Sequence, residues 1–306
     1  MEVTKNQKSA WLYLLPTLIL LGIFTVYPLV RTVFMAFCEG YNYITDTWDS
    51  FGIQNFRNIL TGTSFLKYLK TTVLIVFISV PISIILSLLI AVALNSIKKF
   101  TKIYQTIFFM PYVTNSIAIG MVFSVMFAGD RSIVNALLTK LNITPINWLG
   151  GISRYGYPSY KYEMLVLQIY IVWHALPFKI LILLSGLQGI DKQYYQAAQI
   201  DCASKTRTLM KITVPLLSPQ IAFLTTTSII GSFKEYSSVI GLFGVSEGAV
   251  GLKNDMRTVV GYIYASLQDD RHGAVGEACA ASLILFAIIM VFTLLQNLIQ
   301  KKRTFY

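Results

Sequence analysis

Almost uncharged apolar stretches, each long enough to cross a bilayer, recur along this chain and constrain its fold more than any other feature. An α-helix needs roughly 20 residues to cross a hydrocarbon core of about 30 Å. Stretches near that length lie at about 11–33, 71–94, 103–129, 164–187, 216–243 and 278–300. Backbone groups in lipid have no water to bond, so each such segment must satisfy its own amides as a helix. With 55% of residues hydrophobic and only 13% charged, a soluble core could not hide the apolar surface. The fold class is therefore an all-α polytopic membrane protein with six transmembrane helices, occupying residues 1–306 as one membrane domain.

The first stretch, Trp11 to Val30, follows Lys5 and Lys8 and superficially resembles a secretory signal. It is too long for a signal core, no small-x-small cleavage site closes it, and further spans follow, so it is expected to persist as the first helix. Pro81 and Pro111 fall inside later spans, where neighbouring helices can satisfy the freed carbonyls. With six spans both termini share one side. On that side the segments 1–10, 95–102, 188–215 and 301–306 carry twelve Lys or Arg against Glu2, Asp191 and Asp201. The longer segments 36–70, 130–163 and 244–277 carry ten basic and ten acidic residues. The positive-inside rule places both termini in the cytoplasm.

The net charge of +11 is thus mostly juxtamembrane, facing anionic lipid headgroups rather than nucleic acid. No cytoplasmic segment is long enough to fold as a nucleic-acid recognition module. The outer segments, with turns such as Tyr155-Gly156-Tyr157-Pro158, read as loops or short surface helices. Cys38, Cys202 and Cys279 have no paired spacing, and His174 and His272 have no partner at ligand spacing, so no metal site is expected.

The longest inner segment, 189–215, carries the most information. Ile190 to Ile200 can form a short helix whose Ala197 and Ala198 admit a close partner. Asp201 suits the N-cap of a second short helix, accepting from the amides of Ala203 or Ser204, and Pro215 is expected to end that helix before the fifth span. The expectation is a bent helix pair on the cytoplasmic face with small residues at its elbow.

This segment closely resembles the signature of the binding-protein-dependent permeases of ABC importers: Glu-Ala-Ala, two residues, Asp-Gly-Ala, then a Phe, an Ile and two prolines. Ala197, Ala198, Asp201, Ala203, Ile212, Pro215 and Pro219 match in register, between the fourth and fifth of six spans. Gln196 stands where the family has Glu, Cys202 where it has Gly, and Leu209 where it has Phe. Cys202 is expected to disfavour the left-handed turn that Gly would allow, and Gln196 offers hydrogen bonds but no ion pair. Tyr13-Leu-Leu-Pro16, Tyr27-Pro28, Gly52-Ile-Gln-Asn55-Phe56, Phe108-Phe-Met-Pro111-Tyr112, Asn135-Ala-Leu-Leu138 and Trp148-Leu149 look, in order, like the sugar and glycerol-phosphate subgroup, which includes the maltose permeases.

The resemblance implies a type I ABC importer permease fold with a cytoplasmic coupling helix between helices 4 and 5. It implies a second homologous permease, two ATP-binding cassette subunits and an extracellular substrate-binding protein as partners, in a prokaryotic plasma (inner) membrane. The implied coupling residues are Gln196, Ala197, Ala198, Asp201, Cys202, Ala203, Leu209, Ile212 and Pro215. The chain contains no Gly-x-x-x-x-Gly-Lys-Ser/Thr loop, so no cofactor is expected on it; ATP and magnesium belong to the partner ATPase. Nor does it carry the catalytic motifs of a membrane enzyme.

For the substrate pathway the candidates are Phe233, Lys234, Glu235 and Tyr236 in the fifth span, where charge is costly, and Asn115 in the third. Phe233 and Tyr236 would share a helix face on which a sugar ring can stack. The alternative is that Lys234 reaches the interface, the aromatics pack on the partner permease, and Asn115 joins helices. A secondary transporter or channel would also have six spans, but no reason to carry the alanine-aspartate-proline segment.

Overall fold

Proline and asparagine decide where the helices bend. In this computed structural model, which describes residues 7–97, 101–130, 132–150, 158–244 and 254–301, helix α1 (Gln7–Leu21) passes into α2 (Tyr27–Phe37) through one wide, π-helical turn at Gly22–Val26. Pro28 lacks an N–H, and its ring crowds the carbonyl four residues earlier, inside that turn; widening the turn relieves both. Trp11–Phe37 thereby remains one helix long enough to span. The expected Tyr155–Tyr157 turn and the basic residues Lys5, Lys98, Lys99, Lys302 and Arg303 lie outside the described residues.

Among the described residues, three further helices are long and apolar enough to cross a membrane: α4 (Thr63–Ser96), α8 (Tyr160–Gln188) and Ala274–Ile299 of α15 (Ala274–Lys301). The other two expected spans are bent pairs. The expected continuous helix over 103–129 is instead α5 (Thr101–Val113) and α6 (Ser116–Phe127), meeting at 103°. The break falls at Asn115 rather than Pro111. The Asn115 carboxamide accepts from the amides of Ile117 (2.9 Å) and Ala118 (3.3 Å), which caps α6 and competes with helix continuation.

The expected fifth span, 216–243, is broken twice. Lys205–Leu216 and Ser218–Phe233 (α12) meet at 69° around Leu217, and α12 stops at Phe233. A short helix α13 (Ser237–Phe243) follows.

The chain divides into two compact units, Met1–Leu66 with Tyr262–Ala287 and Lys67–Gly261 with Ile288–Tyr306. In the first, a two-stranded antiparallel hairpin pairs β1 (Cys38–Glu39) with β2 (Ser50–Phe51), in place of the loops or short surface helices alone expected over 36–70. Helix α3 (Gln54–Thr61) follows, and the buried Asn55 donates to the carbonyls of Ala36 and Cys38, both at 3.0 Å. Phe37 packs on Phe51 and Phe56, with ring centroids 5.8 and 5.0 Å apart. The Asn55-Phe56 motif is therefore a fastening of the hairpin onto the end of span 1.

In the second unit, α8 is the central element. One apolar cluster gathers Ile75, Phe127, Leu149, Leu167, Val239, Leu242 and Met256; another gathers Ala91, Leu94, Leu183, Leu187, Leu217 and Leu224. The short helix α7 (Ile133–Lys140) is held by Asn135, whose side chain bonds Gly129, Ile146 and the Trp148 indole, which accounts for the Asn135 and Trp148 motifs. Buried Lys179 on α8 donates to Ser83 on α4 at 2.5 Å. The segment entering α14 (Val259–Leu267) is clamped onto α4 and α8. There Tyr68 donates to Asp255 (2.7 Å), Asn254 to buried Glu163 (2.7 Å) and the Val259 amide to Thr72 (3.0 Å).

Candidate coupling site

Segment 189–215 folds as an elbow whose corners are set by four local bonds. The carboxylate of Asp191 accepts from the Gln193 amide at 2.9 Å and starts α9 (Lys192–Ile200). At its end the Ala203 amide donates to the Ala198 carbonyl (2.9 Å) and the Cys202 amide to that of Gln199 (3.1 Å). This six-to-one and five-to-two pairing closes the helix with Cys202 in the left-handed region, at φ +51°. Ser204 then accepts from the Arg207 amide at 3.3 Å and caps α10 (Lys205–Thr208). A second wide turn, Leu209–Thr213, leads into α11 (Val214–Leu216).

Three expectations are corrected here. Asp201 is the C-terminal cap of α9, not the N-cap of the next helix; that role falls to Ser204, because the backbone closure consumes the residues between. Cys202 adopts the positive φ it was expected to resist, since the Ala203–Ala198 bond requires a left-handed residue at that point. Pro215 does not end its helix: the turn widens ahead of it, as ahead of Pro28, and the bend waits until Leu217.

The elbow encloses a groove of about 480 Å³. Ala197, Ala198, Asp201, Ala203 and Ile212 line it, so five of the nine sequence-selected residues converge; Gln196, Cys202, Leu209 and Pro215 lie off it. Gln196 is exposed, Ala198 is buried, and Leu209 is half-buried. Tyr194, Arg207 and Lys211 also line the groove, and the Tyr195 hydroxyl lies 3.3 Å from that of Thr213, tying α9 to the wide turn. The sequence reading missed these contacts, although Asp191 and Ser204 both carried the ordinary N-cap signal. Small side chains on one wall, cations on the other and Asp201 between them suit insertion of a complementary protein surface.

The pathway candidates separate. Phe233 and Tyr236 do not share a helix face, because α12 ends between them. Phe233 is fully buried against Phe292, with centroids 5.3 Å apart. Lys234 is exposed at the end of α12, and its amide donates to the Gly231 carbonyl at 3.0 Å. The Glu235 carboxylate accepts from the Ser238 amide at 3.0 Å and helps start α13, while its carbonyl accepts from Thr258 at 2.6 Å. Glu235 and Tyr236 are half-buried; Asn115 is exposed beyond its capping bonds. Both breaks are followed by short helices that pack at backbone distance. A Cβ added at Gly120 of α6 would lie 2.7 Å from the carbonyl carbon of Gly241 of α13.

Residues 83–305 match the family model described as the binding-protein-dependent transport system inner membrane component. The chain belongs to that family. The permease is 31% identical to a probable ABC transporter permease of Mycoplasma genitalium, over 91% of this chain and 81% of the relative. It is equally 31% identical to the arabinooligosaccharides transport system permease of Halalkalibacterium halodurans, over 90% and 82%. The trehalose/maltose transport system permease of Thermococcus litoralis is 27% identical over 95% and 92%. Among solved structures, a bacterial ABC transporter involved in import of the acidic polysaccharide alginate superposes with a TM-score of 0.79, covering 100% of both chains at 22% identity. That likeness supports the type I permease fold. The permease is thus a multi-pass membrane component of a transport system, not a catalytic subunit.

Proposed function

We propose that this permease forms half of the translocation pathway for a sugar or oligosaccharide and couples it to ATP hydrolysis on a separate subunit through the 189–215 elbow. The observation that carries the reading is the groove itself. Residues spaced along the signature, Ala197 to Ile212, line one concave surface between the fourth span and the fifth. One of two ATP-binding cassette subunits, which hold the ATP and magnesium, would dock there; a second permease would engage the other and complete the pathway, and an external binding protein would deliver the sugar. The sugar assignment is supported by the substrates in the names of the arabinooligosaccharide and trehalose/maltose relatives. Closure of the ATPase pair would move the elbow as a rigid body and tilt the spans attached to it.

Asp201→Trp, which fills the groove, is expected to leave the complex in the membrane and basal ATPase activity intact. A docking loss of only about 1.4 kcal/mol weakens engagement about tenfold, so uptake driven by the binding protein should fall at least that far. Coupled uptake at the normal rate in reconstituted vesicles would sink the proposal.

The topology that goes with it has both termini and the elbow in the cytoplasm, supported by the Lys and Arg bias of the inner segments. Cys202 is exposed while Cys38 and Cys279 are buried, so the native chain carries its own reporter. A membrane-impermeant maleimide should label Cys202 in inside-out vesicles stripped of peripheral ATPase, and should leave it unlabelled in right-side-out vesicles. Labelling from the outer face alone would invert the topology.

A further inference from the structure

The first unit contains a groove of about 640 Å³ at the far end of span 1, within the size range of small-ligand sites. Its polar centre is a three-way contact. Arg31 donates through Nη2 to Asp46 (2.9 Å) and to the Tyr41 hydroxyl (3.2 Å), and Tyr41 donates to the same Asp46 oxygen at 2.6 Å. Nη1 of Arg31 and Oδ2 of Asp46 carry no bond among the described residues. Both side chains remain accessible, at 35% and 59% relative exposure. The aromatic rings of Tyr27 and Tyr43 line the same groove, and Met35, Leu267 and Val275 give it an apolar wall.

Depth identifies the surroundings. The uncharged run Trp11–Val30 is about 30 Å long as a helix, so Arg31 falls where the hydrocarbon ends and lipid phosphates begin. The hairpin folds back to that level: Asp46, at its tip, is drawn onto Arg31 in a left-handed conformation, φ +53°. Asn42 stiffens the tip by accepting from the amides of Ile44 (2.9 Å) and Thr45 (3.4 Å). Tyr43 and Ile44 are left 69% and 82% exposed, in the belt where tyrosine is favoured at membrane interfaces. Hydrogen bonds from Tyr41 and then Arg31 hold the Asp46 carboxyl below the usual carboxylate range, so it is ionised at neutral pH.

We infer that this groove is a binding site for a zwitterionic phospholipid of the adjoining leaflet. The lipid phosphate meets the free edge of Arg31, its ammonium meets Asp46 Oδ2 among the tyrosine rings, and an acyl chain lies against the apolar wall. A guanidinium beside a carboxylate is complementary to a phosphate joined to an ammonium by two carbons, whereas a purely anionic headgroup would leave Asp46 facing negative charge. Tyrosine faces add attraction for the ammonium.

The test uses the assembled importer in mixed micelles with phosphatidylethanolamine bearing a diazirine in its acyl chain near the glycerol, and maps the adducts by peptide mass spectrometry. Adducts should concentrate on peptides covering Tyr27–Met35 and Leu267–Val275. Unlabelled phosphatidylethanolamine should compete better than phosphatidylglycerol. Arg31→Gln with Asp46→Asn should reduce labelling about fivefold, and so should Tyr43→Ala, whose exposed side chain leaves the fold intact. Labelling no stronger than on the Leu12–Ile19 face and unchanged by the variants would mean annular lipid only, and would overturn the site. Protection of the groove by a partner subunit would overturn it equally, and equal competition by phosphatidylglycerol would overturn its zwitterionic character.

Discussion

Gly241→Ala is expected to destabilise the permease by about 2 kcal/mol, within the usual cost of overpacking, although alanine is the better helix former. A Cβ built on Gly241 lies 2.8 Å from the Ile117 carbonyl oxygen and 3.1 Å from the Gly120 Cα. These are backbone atoms of α6, which cannot rotate aside as a side chain would, so α6 and α13 must separate. Their contact joins the short helices that follow the breaks at Asn115 and Phe233, and small residues are what let helices in lipid approach so closely. Gly231 on α12 supplies the control, because nothing lies within 4 Å of a Cβ built there. Gly231→Ala should raise stability by about 0.5 kcal/mol through propensity alone. Thermal unfolding of the detergent-solubilised complex should therefore shift in opposite directions for the two variants. Parallel shifts would refute the backbone contact between α6 and α13.

That contact also marks the limit of what the sequence could reveal. Span number and order follow from apolar length, since an uncharged run near 20 residues has few other soluble or membrane fates. Where a span breaks does not follow, because the breaking residues are ordinary ones. Asn115 ends a helix through two amide bonds, whereas Pro111, the conventional breaker, sits inside α5. The stop at Phe233 divides Phe233 from Tyr236 and removes the shared face assumed for them, a consequence visible only once α13 is seen to begin anew at Ser237. The hairpin at Cys38–Phe51 escaped because its strands are two residues long, too short for any alternation to register.

The elbow was legible in composition but not in geometry. Alanines and an aspartate between spans located the groove, and five of nine chosen residues line it. The choice of cap was ambiguous because Asp191, Asp201 and Ser204 are all good N-cap residues. Only the backbone closure at Cys202 decides between them, and that closure depends on a φ value no sequence prints.

The closure yields the second large effect, a set of substitutions at one position that differ only in how well they tolerate φ +51°. A non-glycine residue in the left-handed region costs about 1–2 kcal/mol, which the two closing bonds at Ala198 and Gln199 must offset. Cys202→Gly removes that cost, so the elbow should become more stable and coupled uptake should persist at or above the native rate. Cys202→Val adds a β-branched side chain, for which this conformation is a genuine outlier, so the turn should reopen and Ala203 should leave the groove wall. Uptake should then fall by at least about tenfold, the loss that about 1.4 kcal/mol at the docking surface produces, while basal ATPase activity of the complex survives. Cys202→Ser keeps the conformational cost nearly unchanged and deletes the thiol, so it should transport like the native chain; a loss there would assign the effect to sulfur chemistry. The order Gly at or above Cys, Cys equal to Ser, and Val far below follows from backbone geometry alone. Equal transport by the Gly and Val variants would mean that the left-handed corner, and the groove it shapes, is not what transmits the ATPase stroke.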